Sequence, residues 1–397
     1  MENNICKRVK ITDIIAVCCI YFASIASLNE GLNSIALYIA LPIATILCFL
    51  SYDTIRQNRY VRILLILYLW LCVCTGFAVN TSVALIELKR VLGCFMLSFC
   101  MASLANKPRL IPWLYGIYCV LLIFSWKYAS ENILTTIEFG EERLNDDKLN
   151  ANTLAYYTFY TTVCIYTLGE ILHGLWRKIF RILLFGMIVV AFFTSIFTAS
   201  RQVLIIHIPL FAILLWVRYF RGVKVSNIVP TFVLVISCLC IILPIAIDYI
   251  EPIYENSFLK ERNEIEVKDD DRMVIVQEVI EKIPSKPIFG HGPGNARFYT
   301  SSGCMTHNTF LELGMNSGFP GILIFAHLIL LNIRTQYRRW KITKDQFFLF
   351  LLIFTLFWLF YQMFYVFYFD MWLMSFFILV ATHSNTHFKY SQVLSAK

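Results

Sequence analysis

The sequence predicts an all-α, polytopic integral membrane protein, and three observations carry that prediction. The chain of 397 residues is 58% hydrophobic and only 15% charged, with a mean hydropathy of +0.66, too apolar to build a water-facing surface. Apolar runs of about 20 residues, the length a helix needs to cross about 30 Å of hydrocarbon, recur from one end of the chain to the other. Lys and Arg gather in alternate connections between those runs, as the retention of basic residues on the cytoplasmic side requires.

About 12 transmembrane helices follow from the runs. They fall at Ile11 to Leu28, Leu32 to Leu50, Tyr60 to Val79, Val83 to Leu104, Leu110 to Ala129 and Thr153 to Leu172. The rest fall at Ile182 to Ser200, Val203 to Tyr219, Ile228 to Ile247, Phe319 to Ile333, Phe347 to Tyr365 and Met371 to Thr382. The chain therefore divides into residues 1–247 with helices 1 to 9, a large outer loop at 248–318 between helices 9 and 10, and 319–397 with helices 10 to 12 and a tail.

Orientation follows from the loops. One side holds Lys7, Arg8 and Lys10, then Arg56, Arg59 and Arg62, then Lys107 and Arg109, then Arg177, Lys178 and Arg181. Arg218, Arg221 and Lys224 continue that side, and Arg334, Arg338, Arg339, Lys341 and Lys344 complete it. The opposite short loops contain one basic residue, Arg201. Both termini are therefore expected in the cytoplasm, and the first helix reads as a retained anchor rather than a cleaved signal. The net charge of +8 is accounted for largely by this topology, and no basic stripe interleaved with exposed aromatics points to nucleic acid. Of thirteen cysteines, only Cys304 is expected in the outer compartment, which excludes a disulfide framework. The Cys72/Cys74 and Cys238/Cys240 pairs, two apart on helices, point to different faces and do not form a metal site.

Two outer segments are too polar for the membrane, 130–152 and 248–318. The longer one holds nearly half of the acidic residues and then Asp269-Asp270-Asp271-Arg272, followed by Met273, Val274, Val276, Val279, Ile280 and Ile283. That pattern predicts an acid-capped amphipathic helix, stopped by Pro284 and Pro287. A glycine-rich turn, Phe289-Gly290-His291-Gly292-Pro293-Gly294-Asn295, comes next, and helical spacing resumes at Thr306-His307-Asn308-Thr309-Phe310-Leu311-Glu312. No internal repeat and no matched pair of broken helices suggests an inverted-repeat carrier. Walker, His-Glu-x-x-His, Gly-x-Ser-x-Gly and Asp-x-Asp signatures are missing, so ATP, metal and serine-hydrolase chemistry have no motif here.

Several charged groups stand out. Arg201 at the outer end of a span either snorkels to lipid headgroups or grips a diphosphate bidentately. Lys89 and Arg90 lie inside the fourth span, where an unpaired base costs about 3 kcal/mol or more, so they require a polar cavity or a partner such as Glu87. Arg272, near the first turn of the loop helix, is by itself an ordinary solvated charge. His307 with Asn308 opens a helix after the glycine turn, where an imidazole is accessible to solvent, though a loop histidine is more often structural. His291 is explained by turn geometry alone.

These residues resemble the O-antigen ligase and O-antigen polymerase superfamily of bacterial envelope enzymes, a multi-span body with a large periplasmic loop before its closing helices. The segments that carry the resemblance are Ala199-Ser200-Arg201, Arg272 with Pro287-Ile288-Phe289-Gly290-His291-Gly292-Pro293-Gly294, and His307-Asn308-Thr309-Phe310-Leu311-Glu312 ahead of Gly318-Phe319-Pro320-Gly321. The resemblance implies a metal-independent glycosyltransferase of the inner membrane with its active site facing the periplasm and no cofactor. His307 is then the general base with Asn308 in support, and Arg201, Arg272 and Lys89 or Arg90 bind the donor's diphosphate. The implied donor is an undecaprenyl-diphosphate-linked oligosaccharide, and the acceptor is a glycan or the lipid A core. The implied partners are membrane lipids and assembly proteins such as a flippase and a chain-length regulator. O-antigen polymerase is the expected reaction and O-antigen ligase the alternative. A flippase or exporter of lipid-linked glycans is the rival from another class.

Overall fold

The computed structural model describes residues 9–27, 29–139, 151–198, 201–216 and 271–395. Among them every regular element is helical: α1 (Ile11–Ala26), α2 (Glu30–Ile35), α3 (Leu41–Ser51), α4 (Thr54–Gln57), α5 (Arg59–Thr75), α6 (Thr81–Leu104) and α7 (Ile111–Phe139). Then come α8 (Ala151–Ile171), α9 (Gly174–Thr198), α10 (Arg201–Leu215), α11 (Asp271–Lys282), α12 (Thr309–Thr343), α13 (Gln346–Tyr361) and α14 (Met371–Ser395). The all-α class stands. The expected ninth span, Ile228 to Ile247, lies outside the described residues.

Side chains at the helix starts explain several boundaries. Asn58, Asn80, Asn308 and Asp345 each accept backbone N–H groups of the turn they open, satisfying donors that a helix start otherwise leaves without partners. Between α2 and α3 the backbone widens into a π-helical turn, Ala36–Ala40, where Pro42 has no N–H to give to the carbonyl of Tyr38.

Three described helices are long and apolar enough to cross a membrane: Gly31–Ser51, Pro108–Glu131 and Thr309–Thr343. Ile11–Ala26 and Gln346–Tyr361 are apolar but shorter. The count of about 12 is not reached among the described residues, for physical reasons that differ by helix. Helix α6 carries Glu87, Lys89 and Arg90 in its middle, and α5 is only 17 residues long and opens with two arginines. In α8, buried Thr158, Thr162 and Thr167 turn their hydroxyls back onto carbonyls of the preceding turn. Helix α7 continues through Phe139 into the segment expected as an outer loop.

The chain forms two compact units, one from residues up to Ile117 together with those from Val267 onward, the other from Tyr118 to Glu266. In the second, α8 packs along α9 and α9 along α10. The Thr158 and Thr194 hydroxyls bond across the first pair at 3.2 Å, and buried His207 meets Phe159 edge to face. In the first unit α6 packs along α14 and α5, and α12 along α5 and α13, while α1 packs on α3.

The first unit buries an ion pair at the end where α6 finishes. Lys107, expected in a cytoplasmic loop, is 2% exposed and bonds Asp13, itself 1% exposed. Asp13 also accepts from the Tyr52 hydroxyl at 2.6 Å and the Lys10 backbone N–H at 2.7 Å. Removing one member of such a pair strands the other charge in the interior. Asp13→Ala is expected to lower stability by about 3 kcal/mol or more, read by thermal unfolding of the purified protein; a change within about 0.5 kcal/mol contradicts this account.

Candidate active site

The site begins with a break in a helix. Helix α12 is kinked at Gly318, whose φ of 66° and ψ of −170° are open to glycine and closed to residues with a Cβ. At such a break the ladder loses bonds, and Pro320 has no N–H for the carbonyl of Asn316. The glycine-rich turn makes up the difference. His291 N–H donates to the Met315 carbonyl at 2.6 Å, and Phe319 N–H donates to the Pro287 carbonyl at 2.8 Å. The indole N–H of Trp70 reaches the Ser317 carbonyl at 3.0 Å.

This exchange requires backbone to lie directly on backbone. A Cβ on Gly290 would meet the main chain of Met315, Asn316 and Ser317, and one on Gly318 would meet the carbonyls of Pro287 and Ile288. Gly290 also has a left-handed φ of 65°. Phe289 stacks on Phe77 at 4.1 Å between ring centroids and on Trp70 at 5.6 Å, which joins the turn to α5. Asn295 then pairs with the backbone of Asn80, accepting its N–H at 2.8 Å and donating to its carbonyl at 3.3 Å.

Helix α11 supports the turn from beneath. Its buried residues Ile275 and Val279, with Ile283 in the turn that follows on the same face, cluster with Ala296 and Met315. Met273, Val274 and Ile280, expected as part of the same apolar stripe, are exposed.

His307 sits between buried Thr306 and buried Asn308, half-buried itself, with a left-handed φ of 52°. A non-glycine residue in that region is held there by its surroundings. The Thr306 hydroxyl donates to the Asn308 carbonyl at 2.9 Å, and the Asn308 side chain accepts from Phe310 and Leu311 N–H. Thr309 ties the first turn to the connection after α13, donating its N–H to the Gln362 carbonyl and its hydroxyl to the Tyr365 carbonyl. Glu312 closes the loop from inside: 2% exposed, it accepts the Thr306 N–H at 2.9 Å and the Asn316 amide at 2.8 Å. Asn316 also donates to the Tyr368 hydroxyl at 2.8 Å.

A second carboxylate lies nearby. Glu87 on α6 is buried and pairs with Arg90 at 3.3 Å. Arg297, anchored by its Nε to the Gly294 carbonyl at 3.0 Å, lies within electrostatic reach of both Glu87 and Glu312. Four ionisable residues from three distant parts of the chain are thus drawn together beside the glycine turn, and one of them, Glu312, bonds the turn that carries His307. Among the described residues no group of three His, Cys, Asp or Glu could hold a metal ion.

The expected site residues fare differently. His307 and Asn308 are positioned as described, and Arg90 joins the charged cluster through Glu87. Lys89 is exposed and, two positions from Glu87, projects from another face of α6. Arg201 is the first residue of α10 and Arg272 the second of α11; their side chains lie outside the described residues. His291 is 3% exposed, bonded to the Ser285 hydroxyl at 3.3 Å and packed on Tyr299, and burial lowers its pKa from 6.5. It is part of the turn's packing. Arg297 and Glu312 were not singled out by sequence reasoning; the signal for Glu312 was a lone carboxylate four residues into an otherwise apolar helix.

Fold and site define an all-helical protein with helices able to cross a membrane and a histidine-bearing turn braced by buried charge. Residues 185–326 match the family model described as O-antigen ligase, a stretch that includes α10, α11, the glycine turn, His307 and the kink. That domain supports the O-antigen ligase and O-antigen polymerase superfamily, and at family level it supports glycan transfer of the ligase or polymerase type. No curated protein matches the chain.

If Glu312 braces the turn through hydrogen bonds, Glu312→Gln keeps an acceptor for Thr306 while Glu312→Ala leaves buried donors unmet. The alanine variant is expected to lose about 2 kcal/mol or more and the glutamine variant well under half of that, by thermal unfolding. Equal losses would contradict the bracing role.

Proposed function

We propose that this protein transfers a glycan from a polyprenyl diphosphate carrier, undecaprenyl diphosphate in this reading, to a hydroxyl of a second glycan at the periplasmic membrane face. Joining of repeat units, as by an O-antigen polymerase, is the reaction we assign. The observation that carries the reading is His307 itself: held in a left-handed conformation, half-buried, at the head of the kinked helix and inside the matched domain.

In this reading the imidazole accepts the proton of the acceptor hydroxyl as its oxygen attacks the anomeric carbon of the donor. The bond from that carbon to the diphosphate oxygen breaks, and the diphosphate departs with the electron pair. Its growing negative charge falls to Arg201 and Arg272, whose planar guanidiniums match phosphate oxygens bidentately. Each lies in the first turn of a helix, where backbone N–H groups also favour an anion. Of the two bases on α6 we assign Arg90 rather than Lys89 to the donor, because Arg90 shares the face of Glu87 and its side chain keeps 54% of its exposure. The free energy comes from the activated donor, so ATP has no place in the step.

The test is the surface-polysaccharide ladder of cells lacking the endogenous gene, complemented with wild type or with His307→Asn at equal membrane expression. Asn tolerates the left-handed conformation, so the variant probes the imidazole and not the fold. The expected outcome is loss of long chains while a single repeat unit still reaches the lipid A core. Loss of all core-linked sugar with carrier-linked polymer accumulating would make the protein a ligase, and an unchanged ladder would overturn the role of His307.

A further inference from the structure

A cavity of about 270 Å³ lies at the other end of the first unit, far from His307. Asn58, Arg59, Arg62, Asn106, Arg339 and Asn385 line it. Its position follows from helix direction. Helix α5 starts at Arg59 and runs towards the tip whose Val79 bonds His291, and α12 runs from His307 to Arg339 along roughly 40 Å of kinked helix.

Three guanidiniums meet here, and no lining residue is acidic. Arg339 donates to the Ser384 hydroxyl at 2.6 Å and to the Asn385 side-chain oxygen at 2.5 Å, and its guanidinium lies 5.0 Å from the Phe388 ring centroid. Arg59 donates to the Thr335 hydroxyl at 2.9 Å and lies within repulsive reach of Arg339. Among the described residues none of the three arginines forms an ion pair. Neighbouring Arg56 does, with Asp53 at 4.0 Å on the open surface. The rule that keeps basic residues in the cytoplasm accounts for arginines in this loop. It does not account for like charges converging on one cavity, oriented by neutral hydroxyls and amides and leaving guanidinium donors over.

An anion resolves that arrangement. Arginine forks suit phosphate oxygens, and Asn106 and Asn385 place further amide groups at the wall. We propose that this cavity binds phosphate, in the form of an anionic lipid headgroup from the leaflet opposite His307. Basic pockets between helices on the cytoplasmic side are suited to such headgroups.

The test uses the purified full chain in a neutral detergent, with thermal unfolding followed in the presence of phosphatidylglycerol, phosphatidylcholine or inorganic phosphate at matched ionic strength. Phosphatidylglycerol is expected to raise the unfolding temperature by roughly 3 °C or more, and phosphatidylcholine not to. Arg59 and Arg62 are exposed, so Arg59→Gln with Arg62→Gln should leave the lipid-free unfolding temperature within about 1 °C and remove the rise. A control with exposed Arg109 and Lys341 changed to Gln should keep it. An equal, arginine-dependent rise from inorganic phosphate would support the phosphate site and assign it to a free anion. No rise from either, or a rise that survives the double substitution, would overturn the proposal.

Discussion

The first unit depends on one contact, the laying of the Pro287–Gly294 turn against the break in α12. A helix interrupted at Gly318 has backbone groups to satisfy in an apolar surrounding, where each one left bare costs about 1 to 3 kcal/mol. The turn satisfies them by trading partners: the bond that Phe319 would make to Met315 is replaced by two, Phe319 to Pro287 and His291 to Met315. Because both surfaces are backbone, only glycine fits at 290 and 318. Together with the bonds of Thr309 to the connection after α13 and of Glu312 to Thr306, this contact locates His307. It sets the direction of the first half of α12, seats Ile283 and Met315 in one apolar cluster, and brings α5 and α6 to the turn through Trp70, Phe77 and Asn80.

The two ends of the unit handle charge differently. Beside the glycine turn carboxyl groups and guanidiniums alternate, so that Glu87, Arg90, Arg297 and Glu312 limit one another's cost of burial, and Glu312 links them to the His307 turn. At the far end one pair, Lys107 with Asp13, is sealed inside, while Arg59, Arg62 and Arg339 converge on one cavity, Arg59 and Arg339 held by neutral partners. The first arrangement rigidifies a turn that must hold an imidazole in an uncommon conformation. The second leaves positive charge available at a cavity.

Much of this was legible in the chain because it is local. The helical class follows from apolar run lengths, α11 from its acidic start and proline stop, and the glycine turn from residues that φ angles of 65°, 93° and 70° at 290, 292 and 294 require. The cap at Asn308 is likewise a short-range signal. What was not legible is non-local. Which base on α6, Lys89 or Arg90, belongs to the cluster depends on a helix face set by packing against the turn, and Lys107 looks like an ordinary loop cation until Asp13, 94 positions away, is folded onto it. Arg297 has no motif of its own; its place comes from Gly294 and from two carboxylates brought from elsewhere.

The central claim is that the fold holds the turn so that the imidazole of His307 can act as a base. The φ of 52° makes glycine the natural probe, since His307→Gly removes the imidazole, suits the backbone and opens a space of its size. The measurement is the rate of glycan transfer by the purified His307→Gly protein with and without added imidazole. The account predicts a protein at least as stable as wild type whose transfer is lost and is restored in proportion to free imidazole. Undiminished transfer by the variant without imidazole would contradict it.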